Sequence, residues 1–347
     1  MFIKNGWYVA AWGNEIGREL TQRWIAGDPL VLYRTEAGKV VALEDRCPHR
    51  RASLAKGRLV GDTVQCGYHG ITFDCLGSCV HIPGQEKIPG SMAARAYPVL
   101  EKWQWVWVWM GDPDAADESL LPDFHYNDAP GWVATGGCIP VKANYQLLTD
   151  NLLDLTHETY VHGKTIGNSA IVETPISYRV EGNEVHVERI IRNAPPPPLF
   201  QQVRNFEGNI DRWQIIRFQM PAHISIDARG LPAGTNDIER GMRWFSINSI
   251  TPVNERSSLY YWTITRCFSL EDEALTKVIS DQIYKTFMED VEVLEAQQAL
   301  IETDQRRKAE VSIRADSGSV SARRIVQRLV EKDASTTSER MIPEVAQ

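Results

Sequence analysis

Residues 47–69 read Cys-Pro-His-Arg-Arg-Ala-Ser-Leu-Ala-Lys-Gly-Arg-Leu-Val-Gly-Asp-Thr-Val-Gln-Cys-Gly-Tyr-His, and the groups at the two ends decide how the first third of the chain folds. Cys47 and His49 stand at one end, Cys66 and His69 at the other, with sixteen residues between the pairs. Each end offers one thiolate and one imidazole beside a Pro or Gly, which is the make-up of two short loops. Zinc would accept such a Cys2His2 set, but its usual pattern pairs Cys with Cys and His with His.

One Cys and one His per loop suits a Rieske [2Fe-2S] cluster, in which one iron takes two thiolates and the other two imidazoles. Neutral imidazole ligands raise the potential to about −150 to +300 mV, so the implied role is electron relay. Around the first loop, Arg50, Arg51, Lys56 and Arg58 form a basic cluster on a chain of formal charge −8. It reads either as a docking surface for an acidic electron donor or as a solvated charge run. The other cysteines, Cys75, Cys79, Cys138 and Cys267, lack ligand-like partners and read as buried thiols, with redox chemistry a minor reading for Cys75 and Cys79.

Outward from the loops, residues 1–112 read as mostly β. Trp7–Ala10, Leu30–Tyr33 and Val40–Leu43 are short apolar runs separated by Gly, Asp and Pro turns. Trp103, Trp105, Trp107 and Trp109 recur at every second position, which puts four indoles on one face of a strand. The intervening valines favour a core strand over a stacking platform. The acidic stretch from Gly111 to Pro122 reads as a linker.

At 347 residues, 43% apolar and 24% charged, the chain has the make-up of a soluble globular protein of two ordinary domains or one large one. Its negative charge excludes general nucleic-acid binding, which requires a basic surface. No apolar run approaches bilayer length, and Lys4, Asn5 and Gly6 interrupt any signal-peptide core, so a cytoplasmic location is expected.

The second constellation is Asn151-Leu-Leu-Asp154-Leu-Thr-His157-Glu-Thr-Tyr-Val-His162. If Lys142 to Tyr160 is one helix, Asn151, Asp154 and His157 share a face. His162 then lies about 140° around from His157, so two imidazoles on one ion require the helix to end or bulge between them, with Gly163 a plausible stop. A late helix over 273–302 carries the stripe Ile279, Ile283, Phe287, Val291 and Leu294, and Asp290 falls on it. Glu289, Glu292 and Glu295 point roughly 120° or more away. A carboxylate on a buried face is costly unless it is paired or binds metal. Two His and one Asp form the facial triad of non-haem Fe(II) oxygenases. Between these helices, Arg212–Phe218, Met242–Ile247 and Leu259–Thr265 read as strands of an antiparallel sheet, and Pro195–Pro198 as an extended loop.

With these motifs in place, the chain resembles the Rieske non-haem iron aromatic-ring hydroxylating oxygenases, and within them the demethylase branch. Besides the cluster loops and the 150–162 stretch, the resemblance takes in Asn5-x-Trp7-Tyr-Val-Ala10, Ile82-Pro-Gly-Gln85, Val108-Trp-Met-Gly-Asp-Pro113, Asp211-Arg-Trp-Gln-Ile215, Glu289-Asp290 and Ala315-Asp-Ser-Gly318. It implies an α+β fold with an N-terminal all-β Rieske domain over 1–112. A catalytic domain with an antiparallel sheet flanked by helices over 113–333 and a flexible tail over 334–347 complete the expected organisation. It implies that Cys47, His49, Cys66 and His69 hold the cluster, and that His157, His162 and Asp290 hold a mononuclear Fe(II). Asp154 matches a residue that bridges a cluster histidine of one subunit, here His69, to an iron-ligating histidine of the next, here His157. That implies a homotrimer with head-to-tail contacts. Asn151 matches a position close to the iron.

The reaction so implied is an O2-dependent monooxygenation, with electrons passed from NADH through a separate flavin and [2Fe-2S] reductase. Hydroxylation of an aryl methyl ether gives a hemiacetal that collapses to a phenol and formaldehyde, and a vanillate-like methoxylated aromatic acid is the expected substrate. Trp213, Arg217, His223, Arg243, Asn248 and Trp262 are the candidate substrate contacts. Related oxygenases often have His or another polar residue at the position of Asn248, and Asn in place of that His counts against vanillate itself. Two other readings stand beside this one: hydroxylation of an aromatic methyl group or ring of toluenesulfonate or dicamba type, and a non-catalytic electron carrier.

Overall fold

The computed structural model describes residues 1–163, 165–167, 172, 174–305 and 310–340, with side chains described as far as residue 335. The chain divides into two compact units. One holds Met1–Leu121 with Thr251–Asn254 and the chain from Asp333 on; the other holds Pro122–Ile250 and Glu255–Lys332.

The first unit is built from β1 (Trp7–Trp12), β2 (Thr21–Ile25), β3 (Asp28–Arg34), β4 (Val40–Glu44), β5 (Arg58–Val60), β6 (Thr63–Gln65), β7 (Thr72–Phe73), β8 (Cys79–His81), β9 (Ala96–Tyr97), β10 (Val99–Lys102) and β11 (Trp105–Trp109). They form three sheets, ordered β1-β11-β10, β2-β3-β4-β9 and β5-β6-β7-β8. β11 is buried on both faces, so the valines are as enclosed as the indoles. Only three of the four alternating tryptophans lie in it. Trp103 and Gln104 have φ of 54° and 67° and make the two-residue turn from β10, the left-handed geometry that matches strand twist in a hairpin. Trp103 still meets Trp107 edge-on at 6.1 Å.

A core of Val31, Tyr33, Leu43, Leu54, Val64, Ile71 and Phe73 also encloses Cys47 and Cys66. The acidic linker is a series of short 3-10 turns rather than open chain, two of them capped by Asp112 and Asp117. Asp333 accepts from the backbone N–H of Lys4 and Asn5 and from the Asn5 amide. It lies in a helix that continues to Arg340, so the polar tail expected to be flexible from 334 is helical over its first residues; residues 341–347 lie outside the described chain.

The second unit contains β12 (Val133–Val141), α1 (Tyr145–Leu153), α2 (Glu158–Val161), β13 (Ser177–Glu181), β14 (Glu184–Ala194), α3 (Pro198–Arg204), β15 (Ile210–Gln219), β16 (His223–Pro232), β17 (Met242–Asn254), β18 (Ser257–Arg266), α4 (Glu273–Thr303) and α5 (Ser317–Arg340), the last running on past the unit. Its seven-stranded sheet is ordered β12-β18-β17-β16-β15-β14-β13. The proline run ends sooner than expected because Pro198 opens α3, where its fixed φ suits the first helical turn.

α4 buries Ile279, Ile283, Phe287, Asp290, Val291 and Leu294 on one stripe. Phe287 meets Tyr260 and Trp262 of β18 at 5.0 and 5.4 Å between rings. Burying each such apolar side chain contributes roughly 1.5–3 kcal/mol, which fixes the helix and the carboxylate it carries. Among the described residues, no helix is long and apolar enough to cross a membrane.

Candidate metal centres

Two loops in the first unit repeat one turn. In the first, Cys47 N–H donates to Ala52 O and Arg51 N–H to Cys47 O, each at 2.8 Å; in the second, Cys66 N–H donates to Ile71 O at 2.8 Å and Gly70 N–H to Cys66 O at 3.0 Å. The residue four places after each cysteine is left-handed, Arg51 at φ 58° and Gly70 at φ 69°. The turn brings His49 and His69 together, with ring centroids 4.6 Å apart, while both cysteines are buried. Burial pushes the Cys47 thiol above its ordinary value, against the pull of the His49 backbone N–H, and the Cys66 thiol beside it adds to the rise. The Nδ1 of His49 is buried and has no hydrogen-bond partner among the described residues. Adjacent buried thiols with an orphaned imidazole nitrogen and a second imidazole alongside fit the donor set of a histidine-ligated [2Fe-2S] cluster. Arg50, Arg51, Lys56 and Arg58 are all exposed around it.

The other cysteines are less buried than expected. Cys75 and Cys79 are half-buried and bond separately, to Asp62 O and His81 O. Cys138 is half-buried, and Cys267 is exposed just past the end of β18.

In the second unit the helix breaks earlier than the spacing suggests. α1 stops at Leu153 and Asp154 is its extended C-cap, so Asn151, Asp154 and His157 do not share one helix face. The Asp154 carboxylate accepts from Thr156 N–H and Oγ1, which starts the turn into α2. His157 then precedes and His162 follows the single turn of α2, and the break between helices re-aims both rings. Gly167 closes the loop where only glycine fits, since a Cβ there would stand 2.3 Å from Glu158 O.

The result is a convergence of three donors. His157 Nε2 and His162 Nε2 lie 3.2 Å apart, and Asp290 Oδ1 is 3.4 Å from the first and 3.0 Å from the second. Donors about 3 Å apart suit adjacent ligands each about 2.1 Å from one ion. Burial works against charge on both imidazoles, but the Asp290 carboxylate prevails and holds them above their ordinary value. Burial likewise opposes ionisation of Asp290, yet the two rings pull its carboxyl down to about 2. A dication would take over the role of those protons. Asn151 Nδ2 donates to Asp290 Oδ1 at 3.0 Å.

Glu289 is the residue that helix-angle reasoning missed. Its carboxylate lies 2.9 Å from His162 Nδ1 and 3.3 Å from Thr165 Oγ1, because the 157–167 loop reaches around α4 to the flank beside Asp290. A ligating imidazole whose other N–H meets a carboxylate is held in one tautomer, and a search for an acid next to Asp290 would have found it. His157 Nδ1, by contrast, is buried and has no partner among the described residues, Asp154 being turned to Thr156.

Strand alternation sorts the substrate candidates. Asn248 pairs across the sheet with Ile224, and four residues along the strand, on the same face, Ala228 leads across to Gln214 and Arg189. That face carries the two histidines' loop, since Arg189 Nη1 donates to Leu155 O at 2.7 Å. Asn248 and Trp262 lie on it, linked through Tyr260, whose hydroxyl donates to Asn248 Oδ1 at 2.8 Å. Asn248 is fully buried, its amide bonded to Ile224 O and Ser246. Trp262 is buried, and its indole N–H has no partner among the described residues. Trp213, Arg217, His223 and Arg243 are of opposite parity and occupy the other face, so the structure does not bring them to the three donors. There Arg217 pairs with Glu184 and Arg243 with Asp227, each at 2.7 Å, His223 bonds Ser249 at 2.9 Å, and Trp213 lies 4.8 Å beneath Arg192.

Comparison with known proteins places this geometry. Residues 6–98 match the Rieske [2Fe-2S] domain, and residues 141–332 match the vanillate O-demethylase oxygenase C-terminal domain. The iron-sulfur subunit of a toluene-4-sulfonate monooxygenase system from Comamonas testosteroni is 40% identical over 348 residues, covering 97% of this chain and 100% of the relative. A vanillate O-demethylase oxygenase subunit from Pseudomonas sp. (strain HR199 / DSM 7063) is 36% identical over 340 residues, 95% of each chain. The crystal structure of dicamba monooxygenase bound to 3,6-dichlorosalicylic acid superposes with a TM-score of 0.89 at 33% identity, over 96% of this chain and 99% of that one.

Proposed function

This chain belongs to the Rieske non-haem iron monooxygenases, and on that premise we propose that it is the terminal oxygenase that demethylates a methoxylated aromatic acid. The reading rests on the convergence of His157 Nε2, His162 Nε2 and Asp290 Oδ1 beside a buried aromatic wall of Tyr260, Trp262 and Phe287. In it, His157, His162 and Asp290 hold the mononuclear iron, and Cys47, His49, Cys66 and His69 hold the cluster. When bound, the cluster supplies electrons and the iron supplies O2 activation. The chain's own part is to orient the methyl group and keep water from it. Trp262 and Phe287 form an apolar wall, and Tyr260 holds Asn248 beside them. Asn151 steadies Asp290 through its amide. Asp154 links His157 to the cluster imidazole of another copy in a head-to-tail homotrimer, a role supported by a His157 Nδ1 that has no partner among the described residues of its own chain.

Electrons come from NADH through a separate reductase. One oxygen atom enters the methyl C–H bond and the other leaves as water; the hemiacetal then breaks its C–O bond to give the phenol and formaldehyde. A panel of methoxybenzoates with NADH and a reductase of this class tests the proposal. Formaldehyde released in step with O2 uptake is expected, and O2 uptake yielding only a hydroxylated product refutes demethylation. The 40% identity to the toluene-4-sulfonate subunit supports a second reading, hydroxylation of an aryl methyl carbon, which gives a benzylic alcohol without formaldehyde.

A further inference from the structure

Directly beneath the loop that carries the two histidines lies a buried charged group whose side chains bond to neither imidazole. Glu158 follows His157 and opens α2, and its side chain is buried together with Arg189, Arg212 and Gln214. Arg189 donates to Glu158 Oε2 at 3.0 Å, to Gln214 Oε1 at 2.6 and 2.9 Å, and to Leu155 O at 2.7 Å. Arg212 donates to the same Glu158 oxygen at 3.3 Å and to Ile166 O at 3.1 Å, and Gln214 donates to Glu158 Oε1. Leu155 stands two residues before His157 and Ile166 four after His162. Three anchors therefore hold the loop: its entry, its middle and its exit.

Two guanidinium groups bond one carboxylate; the other acid acting on Arg189, Asp154, is only half-buried and bonds Thr156, so the buried group itself carries a surplus cation. Burying ions this way is a poor source of stability compared with well-packed apolar side chains. The arrangement makes sense as a means of fixing backbone, because the arginines reach carbonyls on either side of both imidazoles. We propose that Glu158, Arg189, Arg212 and Gln214 are positioning residues that set the affinity of the mononuclear iron by clamping the 155–166 loop. This rests on the reading of His157, His162 and Asp290 as iron ligands.

The test is anaerobic retention of Fe(II) against graded chelator by full-length, cluster-loaded protein, with thermal midpoints measured alongside. Arg212→Met removes the surplus charge and the Ile166 anchor but leaves the Arg189–Glu158 pair neutral. It is expected to keep or raise the thermal midpoint while weakening iron about tenfold, the low end of what losing a direct outer partner of a ligand costs, because Arg212 acts on the ligands only through the loop backbone. Arg212→Lys, which keeps the charge on a shorter reach, is expected to fall between the two. Unchanged affinity in a folded Arg212→Met protein overturns the clamp, and so does a loss of affinity that only follows a fall in the midpoint. If Arg212→Met does not fold, Arg212→Lys decides by the same criteria; failure of both to fold makes the group a folding requirement and overturns the positioning role. His162→Ala separates the premise: if the wild-type chain holds no iron that this variant loses, the ligand assignment itself fails.

Discussion

His162 Nδ1 stands 2.9 Å from the carboxylate of Glu289, the residue next to Asp290 on α4. The two neighbouring acids thus serve opposite edges of one ring, since Asp290 faces His162 Nε2 at 3.0 Å. Glu289→Ala leaves that Nδ1–H without its acceptor and frees the ring to turn. Iron affinity is expected to fall about ten- to a hundredfold with the cluster untouched, as measured by chelator competition and by the visible spectrum.

Asp154→Asn preserves side-chain size but removes the charge that would connect two copies. Each chain should retain both metals, because the Asn amide oxygen can still accept from an imidazole N–H and because, within one chain, Asp154 accepts from Thr156 and not from a donor to either. Turnover is expected to fall by about a hundredfold or more, with reductase-driven reduction of the cluster still fast in stopped flow. Near-normal turnover rules the bridge out.

The cluster loops make unequal use of left-handed backbone. Gly70→Ala puts a Cβ 3.1 Å from Pro83 at φ 69°, which should cost about 1–3 kcal/mol and bleach the cluster at a lower temperature. Arg51→Gly relieves the same conformation at φ 58° and should change stability by less than about 1 kcal/mol, in either direction. Thermal bleaching of the two variants, run side by side, checks the contrast.

Asp227 provides a pH dependence away from both metals. Burial pushes its carboxyl up, but the guanidinium groups of Arg229 and Arg243 more than offset that and hold it below the ordinary range. A depressed carboxyl contributes its stability fully above its unfolded value of about 3.9 and loses it as pH falls through the lower folded value. Asp227→Asn should therefore be less stable than wild type by about 1–2 kcal/mol near neutrality, since both arginines are about a third exposed and partly screened. That gap should close in acid, which denaturant titrations at about pH 7, 5 and 3 would show.

Much of this was legible in the residues. Short apolar runs between turn residues marked the strands, the Cys47–His69 spacing marked the two-loop site, and a single acid on an apolar stripe singled out Asp290. What escaped depended on contacts between elements distant in sequence. The helix break falls at Asp154 because its side chain caps Thr156, a local bond that competes with helix and leaves no mark on apolar periodicity. Arg217 and Arg243 looked suited to an anionic substrate. Only the parity of strands within one sheet puts them opposite the triad, where Glu184 and Asp227 neutralise them. Glu158 gave no sign of being buried, because the charges that compensate it come from β14 and β15.

Counting iron and acid-labile sulfide in the purified protein bears most directly on the claim of two cooperating centres. Wild type should carry about three irons and two sulfides per chain, and Asp290→Ala about two of each with the colour and rhombic reduced signal of a histidine-ligated cluster intact. Zinc in place of iron, or equal iron content in wild type and Asp290→Ala, would contradict the account.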